Sequence, residues 1–144
     1  MTIENDHVII LNQQIDFGAA FDDIYNKLQD HVYIHGNGYI MIQHQEFYGL
    51  QGTCTLYFQD QKLQRIAMHP EWSMYSLVDK NGNQLNIDDA VWIVRQKNTE
   101  ELRKYFEPVD TSAPQTWVYT NGMFNIVGRI TKENDNYSVI IEMR

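Results

Sequence analysis

The chain has 144 residues, of which 43% are hydrophobic and 21% are charged. This length and balance are typical of one globular domain, here residues 1–144, and they argue against a disordered chain. The formal net charge of −8 argues against binding to nucleic acid or to anionic membranes, because both attract Lys and Arg.

The first predicted elements are a strand at residues 7–11 and a helix after it. Asp16 is the expected N-cap of that helix, because its carboxylate can accept a backbone N–H of the first turn. Asp22 and Asp23 fall on the solvent side of this helix. Its apolar stripe has the spacing of one helix face and comprises Phe17, Phe21, Ile24, Tyr25 and Leu28.

Hairpins are predicted next, because Asn-Gly suits the two-residue type I′ turn. Asn-Gly occurs at Asn37-Gly38, Asn81-Gly82 and Asn121-Gly122. The first turn is expected to join 32–36 to 39–43, and the third to join 116–120 to 123–130. A further hairpin is expected from 53–58 and 63–68, which places the single cysteine, Cys54, in a strand. Residues 37–42 and 121–126 are faintly similar, which the common pattern of hairpins explains without an internal repeat, although a repeat is the alternative.

The C-terminal segment carries the clearest sheet pattern. Pairing Ile130 with Tyr137 places Ile126 opposite Ile141, and all four share one apolar face. The other face then carries Asn125, Arg129, Ser138 and Glu142, and it is expected to face water.

A second helical region is expected between residues 87 and 106. Asn98 or Thr99 is the expected cap of its later part, whereas residues 91–94 fit either a buried strand or a buried helical turn. The chain as a whole is predicted to be α+β, with a mostly antiparallel, hairpin-rich sheet and about two helices packed on one face.

Few residues suggest chemistry. With Asn37-Gly38 as the turn, His31 lies opposite His44, close enough to share a zinc ion, but no third ligand is near in sequence. Two surface histidines are the competing interpretation. Cys54 has no nucleophile signature around it, and the chain lacks a nucleophile elbow and a phosphate-binding glycine loop. We therefore expect no enzymatic activity, no cofactor and no metal.

The loop of His69, Pro70, Glu71 and Trp72 combines an aromatic side chain with an acidic one. The structural interpretation is that Trp72 packs over the end of the sheet, and the functional one is that Trp72 and Glu71 anchor an interface. Adjacent acids at helix starts, such as Asp88 and Asp89, are explained by the helix dipole or by partner binding. The predicted partner-binding set is Asp22, Asp23, Glu71, Trp72, Asp88 and Asp89.

The early helix at 21–28, the strand at 39–42 and the hairpin at 53–68 resemble the layout of small immunity proteins of bacterial toxin systems, including contact-dependent growth inhibition. The resemblance is in size, acidity and helix–hairpin order. It implies tight binding to a cognate toxin domain, often a basic nuclease, and no catalysis. The alternative is a small enzyme or a small-molecule-binding protein with an aromatic-lined pocket.

The compartment follows from the cysteine count and from the first residues. One cysteine excludes an internal disulfide, and residues 1–6 lack the basic and apolar segments of a signal peptide. We therefore expect a cytoplasmic protein.

Overall fold

A computed structural model describes residues 1–71, 77–110, 116–121, 124–131 and 136–143. The described elements are two α-helices and eleven strands, and every strand pairing is antiparallel. The α+β prediction is therefore confirmed. In chain order the elements are β1 (Thr2–Glu4), β2 (His7–Ile10), β3 (Gln13–Asp16), α1 (Phe21–Leu28), β4 (Ile34–His35), β5 (Tyr39–Phe47), β6 (Leu50–Gln59), β7 (Lys62–Pro70), α2 (Ile87–Leu102), β8 (Pro108–Asp110), β9 (Thr116–Asn121), β10 (Phe124–Thr131) and β11 (Asn136–Met143).

The strands form a small sheet, β1-β2-β3, and a large sheet of order β4-β5-β6-β7-β11-β10-β9-β8. The large sheet consists of two four-stranded meanders that meet where β7 pairs with β11. One helix precedes each meander, so the order of one helix and four strands occurs twice. The two similar Asn-Gly segments are not equivalent in this arrangement. Asn37-Gly38 follows the first strand of its meander, whereas Asn121 ends the second strand of the other.

One face of the large sheet carries the core. Ile40, Leu56, Ile66, Ile141 and Ile126 are aligned across five strands by register, and each is fully buried. They belong to one apolar cluster together with side chains of α1, α2 and the small sheet. Because these elements all contribute to that cluster, the described helices pack on one face, as predicted. The opposite face, which we call the open face, carries no described helix.

The first helix begins differently from the prediction. Its N-cap is Ala20, which makes no side-chain cap, and Asp16 instead ends β3. The turn between β6 and β7 takes over the capping role, because the Gln61 carbonyl accepts the N–H of Phe21 at 2.8 Å. The predicted apolar stripe is correct, since Ile24 and Leu28 are buried and the Phe21 ring lies 4.9 Å from that of Phe58.

The second helix is one continuous element, so the ambiguous residues 91–94 are helical. Asn86 caps it, with its Oδ1 accepting the N–H of Asp89 at 2.9 Å. The expected cap at Asn98 or Thr99 is wrong, because both residues are buried within the helix. Because residues 91–94 continue the same helix, its later part needs no N-cap of its own.

The C-terminal register is confirmed: Ile130 pairs with Tyr137, Ile126 with Ile141 and Phe124 with Met143. One detail of the other face is wrong, because Ser138 is only 4% exposed rather than solvated. The burial is not confined to this short side chain, because Ile140, the next residue on the same face, is only 6% exposed. The side chain of Arg129 lies outside the described part of the structure.

Candidate partner-binding surface

The negative charge is concentrated in the first part of the chain. Residues 1–61 contain eight carboxylate side chains and one cationic side chain, Lys27, and so hold a formal charge of −7 out of the total of −8. All eight carboxylates belong to exposed residues. No described Lys or Arg forms an ion pair with any of them, and only His7 approaches two. The eight are Glu4, Asp6, Asp16, Asp22, Asp23, Asp30, Glu46 and Asp60.

The rest of the chain is nearly balanced. Residues 62–107 contain seven acidic and seven basic side chains. Some of these neutralise one another along α2 and just after it, where the Lys104 ammonium lies 2.9 Å from Glu101 and that of Lys97 lies 3.8 Å from Glu100. The electrostatic field is therefore strongest around the small sheet, α1 and β4–β6.

The predicted interface residues lie in three places. Asp22 and Asp23 occupy the first turn of α1, and Asp88 and Asp89 occupy the first turn of α2. The two helices lie over different parts of the fold, since α1 contacts β3 whereas α2 contacts β10 and β11. Glu71 directly follows β7, and Trp72 lies outside the described residues. The structure therefore places these acids in separate locations, and their role in binding stays a prediction.

His31 and His44 do come near each other. The β4–β5 register pairs Ile34 with Met41, as the Asn37-Gly38 turn predicts, although His31 itself lies in a 3-10 turn, Gln29–His31. Both histidines line one open depression of about 460 Å³ together with Asp30. Within the described ranges, no three His, Cys, Asp or Glu side chains are arranged to hold a metal ion.

The depression lies beside a protected sheet edge. β4 covers only the start of β5, and β5 then bulges at His44, whose φ is +56°. The exposed carbonyls have local donors: the Gln45 side-chain amide donates to the Gln43 carbonyl at 3.2 Å, and the Met1 amine donates to the Glu46 carbonyl at 2.7 Å. Because the bulge and these donors interrupt the edge, addition of a further strand there is disfavoured.

Cys54 is a core residue. It is fully buried, and its Sγ lies 3.6 Å from the Sδ of Met1. Burial raises the pKa of the Cys54 thiol to about 12, because the thiolate would lose its hydration. The thiol therefore stays protonated at neutral pH, and its burial keeps it out of contact with solvent in this conformation.

The open face contains residues that sequence analysis did not select. Tyr57 and Arg65 are paired by register, with the Arg65 guanidinium 4.6 Å from the Tyr57 ring centroid. Beyond them lie the buried Thr55 and Ala67, and then His69, whose burial lowers its pKa from 6.5. Period-two alternation along β6 and β7 could have indicated which residues share this face, but not that Thr55 and Ala67 would be buried on it.

One end of the open face is acidic. Glu46 pairs with Gln51 across β5 and β6, and the N–H of Glu71 donates to the Gln51 carbonyl at 2.8 Å. The His44 Nδ1 lies 3.7 Å from the Glu71 Oε1, so these side chains reach over β6 on the same face. His44 and Glu71 remain 84% and 40% exposed, which leaves both accessible to a partner.

In the described part of the chain, no helix is both long and apolar enough to cross a membrane. No protein-family model matches the sequence, and no curated protein or solved structure matches it either.

Proposed function

We propose that this protein is a non-catalytic, cytoplasmic binding module whose acidic part binds a basic protein. The observation that carries the proposal is the set of eight exposed carboxylates in residues 1–61 that lack an ion pair with any described Lys or Arg. A partner can pair with these groups without displacing a described Lys or Arg side chain. Their concentration in one part of the chain also directs the approach of a positively charged protein.

The specific form of the proposal is an immunity protein that neutralises a toxin domain. A nuclease domain binds phosphates through Lys and Arg, so its active surface is complementary to a surface rich in carboxylates. Blocking that surface requires tight and fast binding but no catalysis. Electrostatic steering can raise association rates to about 10⁸–10⁹ M⁻¹s⁻¹ at low salt, compared with about 10⁵–10⁶ for neutral surfaces.

The test is affinity capture from the native host, followed by kinetics with the purified partner. We expect one basic protein and an association rate that falls steeply between 50 and 300 mM NaCl. Glu46→Gln with Asp60→Asn should slow association several-fold. The matched control, Glu100→Gln with Glu107→Gln, removes two charges from the balanced part and should change the rate less than twofold. Association that is insensitive to salt would contradict the proposal.

A groove along α2 favours a second candidate, the binding of a small molecule. It has a volume of about 380 Å³ and is lined by Trp92, Arg95 and Thr99, among others. Trp92 is 43% exposed, and the Arg95 guanidinium lies 4.8 Å from its ring centroid. A thermal-shift screen of aromatic carboxylates would test this candidate. A stabilising compound should lose its effect in Trp92→Ala, and a screen with no stabilising compound would count against the groove as a site.

A further inference from the structure

The acidic part of the chain, residues 1–61, has one exposed apolar patch among its described residues. Tyr33 and Ile34 are 56% and 45% exposed, and the other exposed large hydrophobic side chains of the described chain all lie after residue 77. Tyr33 and Ile34 lie at the edge of the large sheet, where β4 pairs with β5 and no described strand covers the outer side of β4. Two adjacent apolar side chains at an uncovered edge lose contact with water when a partner covers them, which favours binding.

This edge is held in place by contacts within the chain. The Tyr33 N–H donates to the Met41 carbonyl at 2.9 Å, and the register pairs Ile34 with Met41. At the next residue, the His35 ring lies 4.9 Å from that of Tyr25 in α1. Because these contacts already fix the backbone, binding requires little further ordering of the chain, and less of the interaction free energy is lost.

Beside the patch lies the depression that His31 and His44 line. Its volume of about 460 Å³ is within the range of about 300–1,000 Å³ that is usual for binding pockets, and Tyr33 forms part of its wall. Its apolar lining includes Leu11 and Val32, both of which pack against the core. The depression can therefore receive an apolar side chain from a partner whose neighbouring residues contact the patch.

The charge around the depression is negative. Asp30 lines it, and at its rim the Glu71 Oε1 lies 3.7 Å from the His44 Nδ1. No Lys or Arg is among its described lining residues, and Lys27, the one cation of the acidic part, instead donates to the Gln14 carbonyl at 2.8 Å. An apolar centre with carboxylates around it is complementary to a basic segment that also carries an apolar side chain.

We infer that the basic partner docks at the edge formed by Tyr33 and Ile34, with an apolar side chain in the adjacent depression and Arg or Lys at Asp30 and Glu71. This inference rests on the proposed function and specifies its surface. It retains Glu71 from the set that sequence analysis selected and places the helix-start acids outside the contact. The occupant is a cationic segment of a protein. It contacts side chains and does not extend the sheet, because the two residues of β4 and the bulge at His44 leave only a short edge.

Two short peptides test the placement. We would titrate the full ¹⁵N-labelled protein with the amides of Arg-Arg-Phe-Arg-Arg and Arg-Arg-Ser-Arg-Arg, and follow the amide resonances of the protein. The largest shifts are expected at residues 30–35 and 42–45. The phenylalanine peptide should bind at least fivefold more tightly than the serine peptide, because only the former has an apolar side chain for the depression.

Exposed apolar residues elsewhere in the chain provide a matched control. Tyr33→Ser with Ile34→Thr should weaken binding of the phenylalanine peptide at least fivefold, because it removes the apolar patch. Tyr105→Ser with Val78→Thr changes side chains that are 57% and 48% exposed in the balanced part, and it should weaken binding less than twofold. Equal weakening by the two double variants would overturn the placement.

The carboxylates are tested separately. Asp30→Asn with Glu71→Gln should weaken binding of both peptides at least threefold at 50 mM NaCl and have a smaller effect at 300 mM. If the double apolar variant fails to fold, Ile34→Thr alone replaces it and should weaken binding of the phenylalanine peptide at least twofold. Equal affinity for the two peptides, or shifts confined to other segments of residues 1–61, would overturn the placement but keep the proposed function. No binding of either peptide to the wild type at low salt would overturn both.

Discussion

Gly52 should be among the least replaceable residues in the described sheet. It lies in β6 between Gln45 of β5 and Pro70 of β7. A Cβ at this position would lie 2.0 Å from the His69 carbonyl oxygen and 2.8 Å from the Pro70 Cα, and neither backbone atom can rotate away. Ordinary contact begins near 3.4 Å, so β6 and β7 would have to separate locally by more than an ångström.

The cost of Gly52→Ala follows from that separation. Strands pair at about 4.8 Å, so an opening of this size breaks the hydrogen bonds on either side of the contact. Two lost bonds at about 1 kcal/mol each, together with overpacking of about 1–3 kcal/mol, give a destabilisation of about 3–5 kcal/mol. Urea unfolding followed by circular dichroism would measure this loss.

Gly38→Ala is the matched control. A Cβ there would lie 3.5 Å from the Phe58 carbonyl oxygen, which is an ordinary contact. Because alanine restricts the unfolded chain, this variant should be unchanged or more stable by up to about 1 kcal/mol. If Gly52→Ala unfolds at the same urea concentration as the wild type, the described approach of β6 to β7 is wrong.

Other residues give further predictions. Burial lowers the pKa of His69 below 6.5, so the unfolded state binds a proton more readily than the folded state as pH falls through 6.5. The free energy of unfolding should therefore fall from pH 7.5 to 5.5, and it should fall less in His69→Gln, as urea titrations at both pH values would show. Cys54 should not react with Ellman's reagent until the protein is unfolded, and rapid labelling of the native protein would contradict its burial. Asn86→Ala removes the N-cap of α2 and should lower the free energy of unfolding by about 1 kcal/mol. Asp16→Ala removes no helix cap and should change it by less than about 0.5 kcal/mol. Equal losses in the two variants would refute the cap assignment.

Short-range patterns in the sequence predict much of the large sheet. The register of β10 and β11 follows from period-two alternation, because a slip by one residue would expose Phe124, Ile126 and Ile141. The β4–β5 register is the one that a two-residue Asn37-Gly38 loop predicts, although neither residue has the positive φ of a type I′ turn. The stripe of α1 follows from helical spacing. These features depend on residues that are close together in the chain, so local chemistry is sufficient to determine them.

Element boundaries were less predictable, because contacts between distant residues decide them. Asp16 is a good capping residue by type, yet the Gln61 carbonyl receives the first N–H of α1. Asn98 and Thr99 are also cap formers by type, but burial against the rest of the fold keeps them inside α2. The small sheet was predicted only in its middle strand, since β1 and β3 are short and mostly polar.

For the candidate surface, too, some features are determined by the sequence and others only by contacts between distant residues. The sequence alone determines that seven of the eight net negative charges lie in residues 1–61, because this is a count of side chains. It also determines that Cys54 lies in an apolar strand. Only the tertiary structure decides that both helices cover one face of the sheet, which leaves Thr55, Tyr57 and Arg65 on the other. The physical reason is that strand alternation defines two faces, whereas tertiary packing decides which of them the distant helices cover.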